Sequence, residues 1–102
     1  MTSVYLERSG DRYTVHCQGH AVGNSAVCAA VSILTNSLME WLSQTEAEVL
    51  RKWKGNADFF VCFRGGEAVN AVFDMVCIGL CKLENKHGEY IKVNGKNISF
   101  TG

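Results

Sequence analysis

The chain has 102 residues, 47% apolar and 20% charged, with ten Lys and Arg against ten Asp and Glu. That is enough for a single domain spanning 1–102 of ordinary globular composition, which excludes a disordered polymer. The zero formal charge leaves no global field to hold a polyanion, so no direct nucleic-acid partner is expected.

In chain order, Val4 to Arg8 reads as a short strand and Ser9-Gly10-Asp11 as a turn. Arg12 to Gln18 alternates, with Tyr13, Val15 and Cys17 on one face and Arg12, Thr14, His16 and Gln18 on the other. That is the pattern of a half-buried strand, and parity carried further would put His20 on the His16 face. Residues 19–25 form a loop. A helix then starts near Ser25 or Ala26, capped by Asn24 or Ser25, and stops near Leu42 or Ser43. Ala47 to Lys54 and Ala57 to Arg64 read as a hairpin turned at Gly55-Asn56, rather than as a helix prolonged from Thr45.

Gly65-Gly66 breaks the pattern, and Glu67 to about Asn85 is a second helix. Lys86-His87-Gly88 ends it, with Gly88 the C′ candidate. Tyr90 to Val93 is a last strand, Asn94-Gly95 a turn, and Asn97 to Phe100 an extra returning strand. The order ββ-α-ββ-α-β predicts an α+β two-layer sandwich, a mostly antiparallel sheet with two helices on one face.

The longest apolar run, Ala26 to Val31, is six residues, against the roughly 18 of a membrane span, so no membrane partner is expected. The first ten residues lack the basic flank and apolar core of an export signal, and five cysteines are an odd number. Free thiols and a cytoplasmic location follow as expectations.

One stretch carries chemistry. Cys28 falls in the first turn of the first predicted helix, where partial positive charge and unpaired N–H groups favour thiolate over thiol. His20 stands eight residues earlier across a Gly-containing loop that can fold back and set the imidazole beside the sulfur. A Cys and a His in reach of each other are the minimum for nucleophilic acyl transfer. The plain alternative is a core cysteine in a Val/Ala-rich helix.

Gly19-His20-Ala21, followed after a short loop by Val27-Cys28-Ala29-Ala30-Val31-Ser32, resembles the ribosomal-processing cysteine protease family (Prp). The element order agrees with that family along nearly the whole chain. The resemblance implies a homodimeric cysteine endopeptidase. Its substrate would be the N-terminal peptide of a ribosomal large-subunit protein precursor, L-twenty-seven, cut after an aromatic residue near the end of the extension. Cys28 would be the nucleophile and His20 the general base, then acid. The oxyanion would meet backbone N–H groups at the helix start. Gly23, Asn24 and Ser25 would belong to the loop that admits substrate, and Ser32 would bond near the sulfur or back to the Cys28 carbonyl. Ser25 stands where the family commonly has an acidic residue, and the loop between His20 and Cys28 is short. No cofactor and no metal are implied. The rival reading is a non-catalytic or redox-sensing, ribosome-associated binding module of the same fold.

The remaining candidates have structural readings. Cys77 and Cys81 share a helix face among Val76, Ile78 and Leu80 and read as core thiols, as do Cys17 and Cys62. His16 reads as an exposed strand residue. Arg51, Lys52 and Lys54 form a basic cluster at a hairpin tip, and Trp53 could line a substrate groove or a dimer seam.

Overall fold

The computed structural model describes residues 1–98. The elements run β1 (Thr2–Ser9), β2 (Arg12–Gln18), α1 (Ser25–Ser43), β3 (Glu48–Gly55), β4 (Asp58–Arg64), α2 (Glu67–His87) and β5 (Ile91–Lys96). The expected α+β order is therefore the observed one. The strands form one sheet in the order β3-β4-β2-β1-β5. Pairing is antiparallel throughout except between β1 and β5, which are parallel.

Period-two alternation sets which face is buried. Val4 and Leu6 of β1, Tyr13, Val15 and Cys17 of β2, and Phe59, Val61 and Phe63 of β4 all lie on the covered side. From the helices, Val27, Leu38 and Leu42 of α1 and Val69, Phe73, Val76, Cys77 and Leu80 of α2 complete one core. Tyr13, Phe63 and Phe73 pack ring to ring at its centre, with centroids 4.9 to 6.2 Å apart. By length and composition alone α1 is apolar enough to cross a membrane; here one of its faces is spent on that core.

The uncovered sheet face carries an aromatic row. Trp53 stacks on Phe60 with centroids 4.2 Å apart, and His16 meets both rings edge-on. The register places these residues side by side, Trp53 opposite Phe60 and Phe60 opposite His16.

Four local expectations are corrected. Asn94-Gly95 is not a turn: β5 runs straight through it, because the open edge of β1 offers hydrogen-bond partners from Thr2 opposite Ile91 to Glu7 opposite Lys96. Asn97 and Ile98 are not in a strand, and the rest of the expected returning strand, Ser99 and Phe100, lies outside the described residues. The second helix continues to His87, and Gly88 closes it in the right-handed helical region (φ −59°), not with the positive φ of a C′ glycine. His20 does not follow strand parity, since β2 ends at Gln18 and Gly19 redirects the chain with φ +86°.

Candidate active site

The site is built where β2 hands over to α1. Gly19 holds its positive φ while its N–H donates to the Ala57 carbonyl at 2.8 Å, tying the loop to the β3–β4 turn. A side chain at Gly19 would also collide with the Met1 carbonyl. Two residues on, Asn24 N–H donates to the Ala21 carbonyl at 2.9 Å and closes a tight turn whose second central residue is Gly23, at φ +89°. That is type II turn chemistry, and it requires glycine there. Asn24, one of the two expected caps, is the N-cap: its Oδ1 accepts from Val27 N–H at 3.1 Å.

This turn delivers Ala21 to the candidate nucleophile. Ala21 N–H donates to Cys28 Sγ at 3.3 Å. A hydrogen bond from an amide stabilises a thiolate more than a thiol, as does the positive end of α1. No acidic residue stands in the first turn of α1, so Ser25 leaves that positive end uncompensated where a carboxylate would offset it. Cys28 N–H bonds the Asn24 carbonyl at 3.4 Å and Val27 N–H is taken by the cap.

Cys28, His20 and Ser32 line one cleft of about 270 Å³, running between α1 and the β3–β4 turn. His20 is exposed there, and both polar neighbours of the sulfur are Ala21 backbone atoms, the second its carbonyl at 4.0 Å. The sequence-predicted pair thus shares a cleft without a direct hydrogen bond between its members. Gly23, Asn24 and Ser25 shape the loop and cap and do not line the cleft; a Cβ at Gly23 would come within 3.8 Å of the Tyr90 ring. Ser32 makes neither of its expected hydrogen bonds among the described residues. On the cleft wall a back-bonded hydroxyl is found instead at Thr35, whose Oγ1 donates to the Val31 carbonyl at 2.9 Å.

Sequence reasoning missed the rest of the cleft. Asn36 and Lys54 stand at its far end, with Lys54 Nζ donating to Asn36 Oδ1 at 2.6 Å. Ser32 and Asn36 follow Cys28 at four-residue steps, so helical spacing alone could have extended the wall. Asp58 is the one carboxylate among the lining residues, and it is already engaged: Oδ1 lies 3.2 Å from His16 Nε2, and Oδ2 accepts from Trp53 Nε1 at 3.1 Å. That carboxylate links the cleft wall to the aromatic row on the open sheet face.

Residues 1–92 match the family model described as cysteine protease Prp. The chain belongs to that family. No curated protein matches it. Among solved structures, it is similar to the essential ribosomal processing protease Prp from Staphylococcus aureus with a covalently linked product peptide. Identity is 18%, the TM-score is 0.82, and the match covers 94% of this chain and 100% of that one. The same protease with a substrate peptide gives 17% identity, a TM-score of 0.75 and the same coverage. A hypothetical protein from S. aureus gives 13% and 0.59 over the same shares. At such identities these likenesses concern the fold, and the family match identifies the chain as a cysteine protease of the Prp family.

Within that family frame the five thiols of this chain differ sharply. Cys17 and Cys77 are buried, and burial pushes both thiols up to about 12. Burial raises Cys81 as well. Cys62 alternates with the buried residues of β4 and so faces the open side of the sheet. Cys28 alone joins a helix N-terminus, a donated amide and a cleft. No group of three or more His, Cys, Asp or Glu residues suited to a metal occurs among the described residues.

Proposed function

We propose that this Prp-family protease uses Cys28 as nucleophile and His20 as general base and acid, and that it removes the N-terminal extension of a ribosomal large-subunit precursor, L-twenty-seven. The observation that carries the site assignment is the Ala21 amide donating to Cys28 Sγ at the start of α1, in a cleft shared with His20. His20 turns toward the sulfur when substrate fills the cleft, since catalytic hydrogen bonds often tighten only in the bound complex. It takes the thiol proton, and the thiolate attacks the scissile carbonyl. The negative oxygen of the tetrahedral intermediate is met by backbone N–H groups at the start of α1, near Cys28. The imidazolium then gives its proton to the departing amine. Water, deprotonated by the same imidazole, hydrolyses the thioester and restores Cys28.

The substrate is supported by the family match and by the ribosomal-processing role of the S. aureus structures, which hold product and substrate peptides. A cytoplasmic location is supported by five free thiols, and a homodimer by the family resemblance.

The decisive experiment incubates the protein with the N-terminal peptide of the host's precursor and reads the products by mass spectrometry. Wild type makes a single cut. Cys28→Ala abolishes it, and His20→Ala slows it by about 10²–10⁴-fold with the circular dichroism of the fold intact. An uncut peptide, or a cut that persists in Cys28→Ala, overturns the reading.

A further inference from the structure

The cleft does not end at Asn36. A second hollow of about 310 Å³, bounded by Met39, Lys52 and Trp53, shares Asn36, Lys54 and Phe59 with the first. Together they make one groove along α1. From Cys28 to Asn36 is eight residues of helix, about 12 Å. An extended peptide advances about 3.3 Å per residue, so the Lys54 end lies some three to four residues from the scissile bond.

Both lysines are aimed at this groove by strand register. Lys54 pairs with Phe59 and Lys52 with Val61, and Phe59 and Val61 face the buried, helix-covered side. Neither lysine has an ion-pair partner among the described residues, where the four pairs found involve Arg8, His16 and Arg64 (the last twice). Asp58, the one carboxylate lining either hollow, is held by His16 and Trp53. Glu40, one turn beyond Asn36 on α1, is bonded to Ser43 and Gln44 instead. The groove therefore carries two uncompensated cations above an apolar floor of Phe59 and Met39. Asn36 accepts a hydrogen bond from Lys54 and steers its ammonium across the groove.

We propose that Lys54, positioned by Asn36 and backed by Lys52, forms an acid-selecting subsite that reads an Asp or Glu side chain of the peptide substrate three to four residues from the scissile bond. This deepens the protease reading and rests on Cys28 being the nucleophile. A competing role is purely protective: inward-pointing lysines on an edge strand such as β3 discourage strand-to-strand aggregation. That role predicts self-association of the variants and no change in selectivity.

The test is a scan of the host precursor's N-terminal peptide, placing Glu and then Lys at every position. Two readings are taken on the full chain: kcat and KM for cleavage by the Lys54 variants, and affinity by fluorescence anisotropy for Cys28→Ala with and without the same Lys54 changes. Expected is a preference for Glu over Lys of about three- to five-fold at the third or fourth position from the cut. It appears in KM and affinity rather than in kcat, and it shrinks between low and high salt. Lys54→Glu inverts it and Lys54→Arg keeps it. An equal ratio in wild type and Lys54→Glu, with cleavage intact, overturns the subsite and leaves the protease reading standing. A Glu preference in binding that Lys54→Glu inverts, with no cleavage by wild type, overturns the protease reading and keeps the subsite. Absence of measurable binding by any peptide overturns both.

Discussion

Ala57 sits at φ +56° in the turn between β3 and β4, where its carbonyl also receives the Gly19 amide. The left-handed region costs an L-residue with a Cβ roughly 1–2 kcal/mol, while glycine adds roughly 0.4–1 kcal/mol of unfolded-chain entropy. The strain is the larger quantity, so Ala57→Gly stabilises the protein by about 0.5–1 kcal/mol and raises Tm by a few degrees in a thermal melt. A lower Tm would mean that the methyl group packs usefully on the cleft wall. At this scale the sequence pointed to the two side chains proposed for catalysis through their motif. The backbone groups that serve them, the Ala21 amide above all, leave no mark in residue type. Any residue other than proline carries that amide, so only the turn at Gly23 reveals where it points.

α1 brings Cys28 to the site, and its first turn is ordered by one side chain. Asn24 accepts from Val27 N–H at 3.1 Å, satisfying one of the orphan donors of the helix start. Asn24→Ala is expected to cost about 1 kcal/mol, read as a drop in Tm of roughly 4–8 °C by differential scanning calorimetry. Asn24→Ser or Asn24→Asp should recover most of it; failure of both would show that the cap is not what orders the turn. Element boundaries followed local signals wherever local chemistry decided them. α1 begins at Ser25 and ends at Ser43, within the expected limits, and β4 needs only its alternating aromatics. β5 failed because Asn94-Gly95, a strong hairpin signal in isolation, lies beside the open edge of β1 and is drawn into a parallel ladder.

The whole molecule buries two thiols it does not use for chemistry. Cys17 and Cys77 are pushed up to about 12 from an ordinary value of 9.0. A thiol that keeps its proton longer in the native state than in the unfolded chain lends full stability below pH 9, and loses it as pH rises from 9 toward 12. In that window the unfolded state binds fewer protons, so stability falls with pH, by up to about 1.4 kcal/mol per unit for each thiol. Urea unfolding at pH 8 and pH 10.5 measures the loss, and Cys77→Ala should flatten its slope after allowance for its own cavity cost. An unchanged slope in that variant would assign the alkaline loss to other groups.

Sequence alone determined the element order, the alternating faces of β2, the helix start beneath Cys28 and, through two short motifs, the family. These are local or periodic properties, set by side-chain alternation, capping and the few residues that accept a positive φ. Tertiary structure alone decided the parallel partner of β5, the turn that aims the Ala21 amide at the sulfur, and the groove that joins Cys28 to Lys54. Cys28 and Lys54 are far apart in the chain. They share one groove because strand register turns Lys54 of the edge strand β3 to the same buried side of the sheet as Phe59, where the cleft beside α1 lies. No local pattern encodes a distance that depends on how two layers pack.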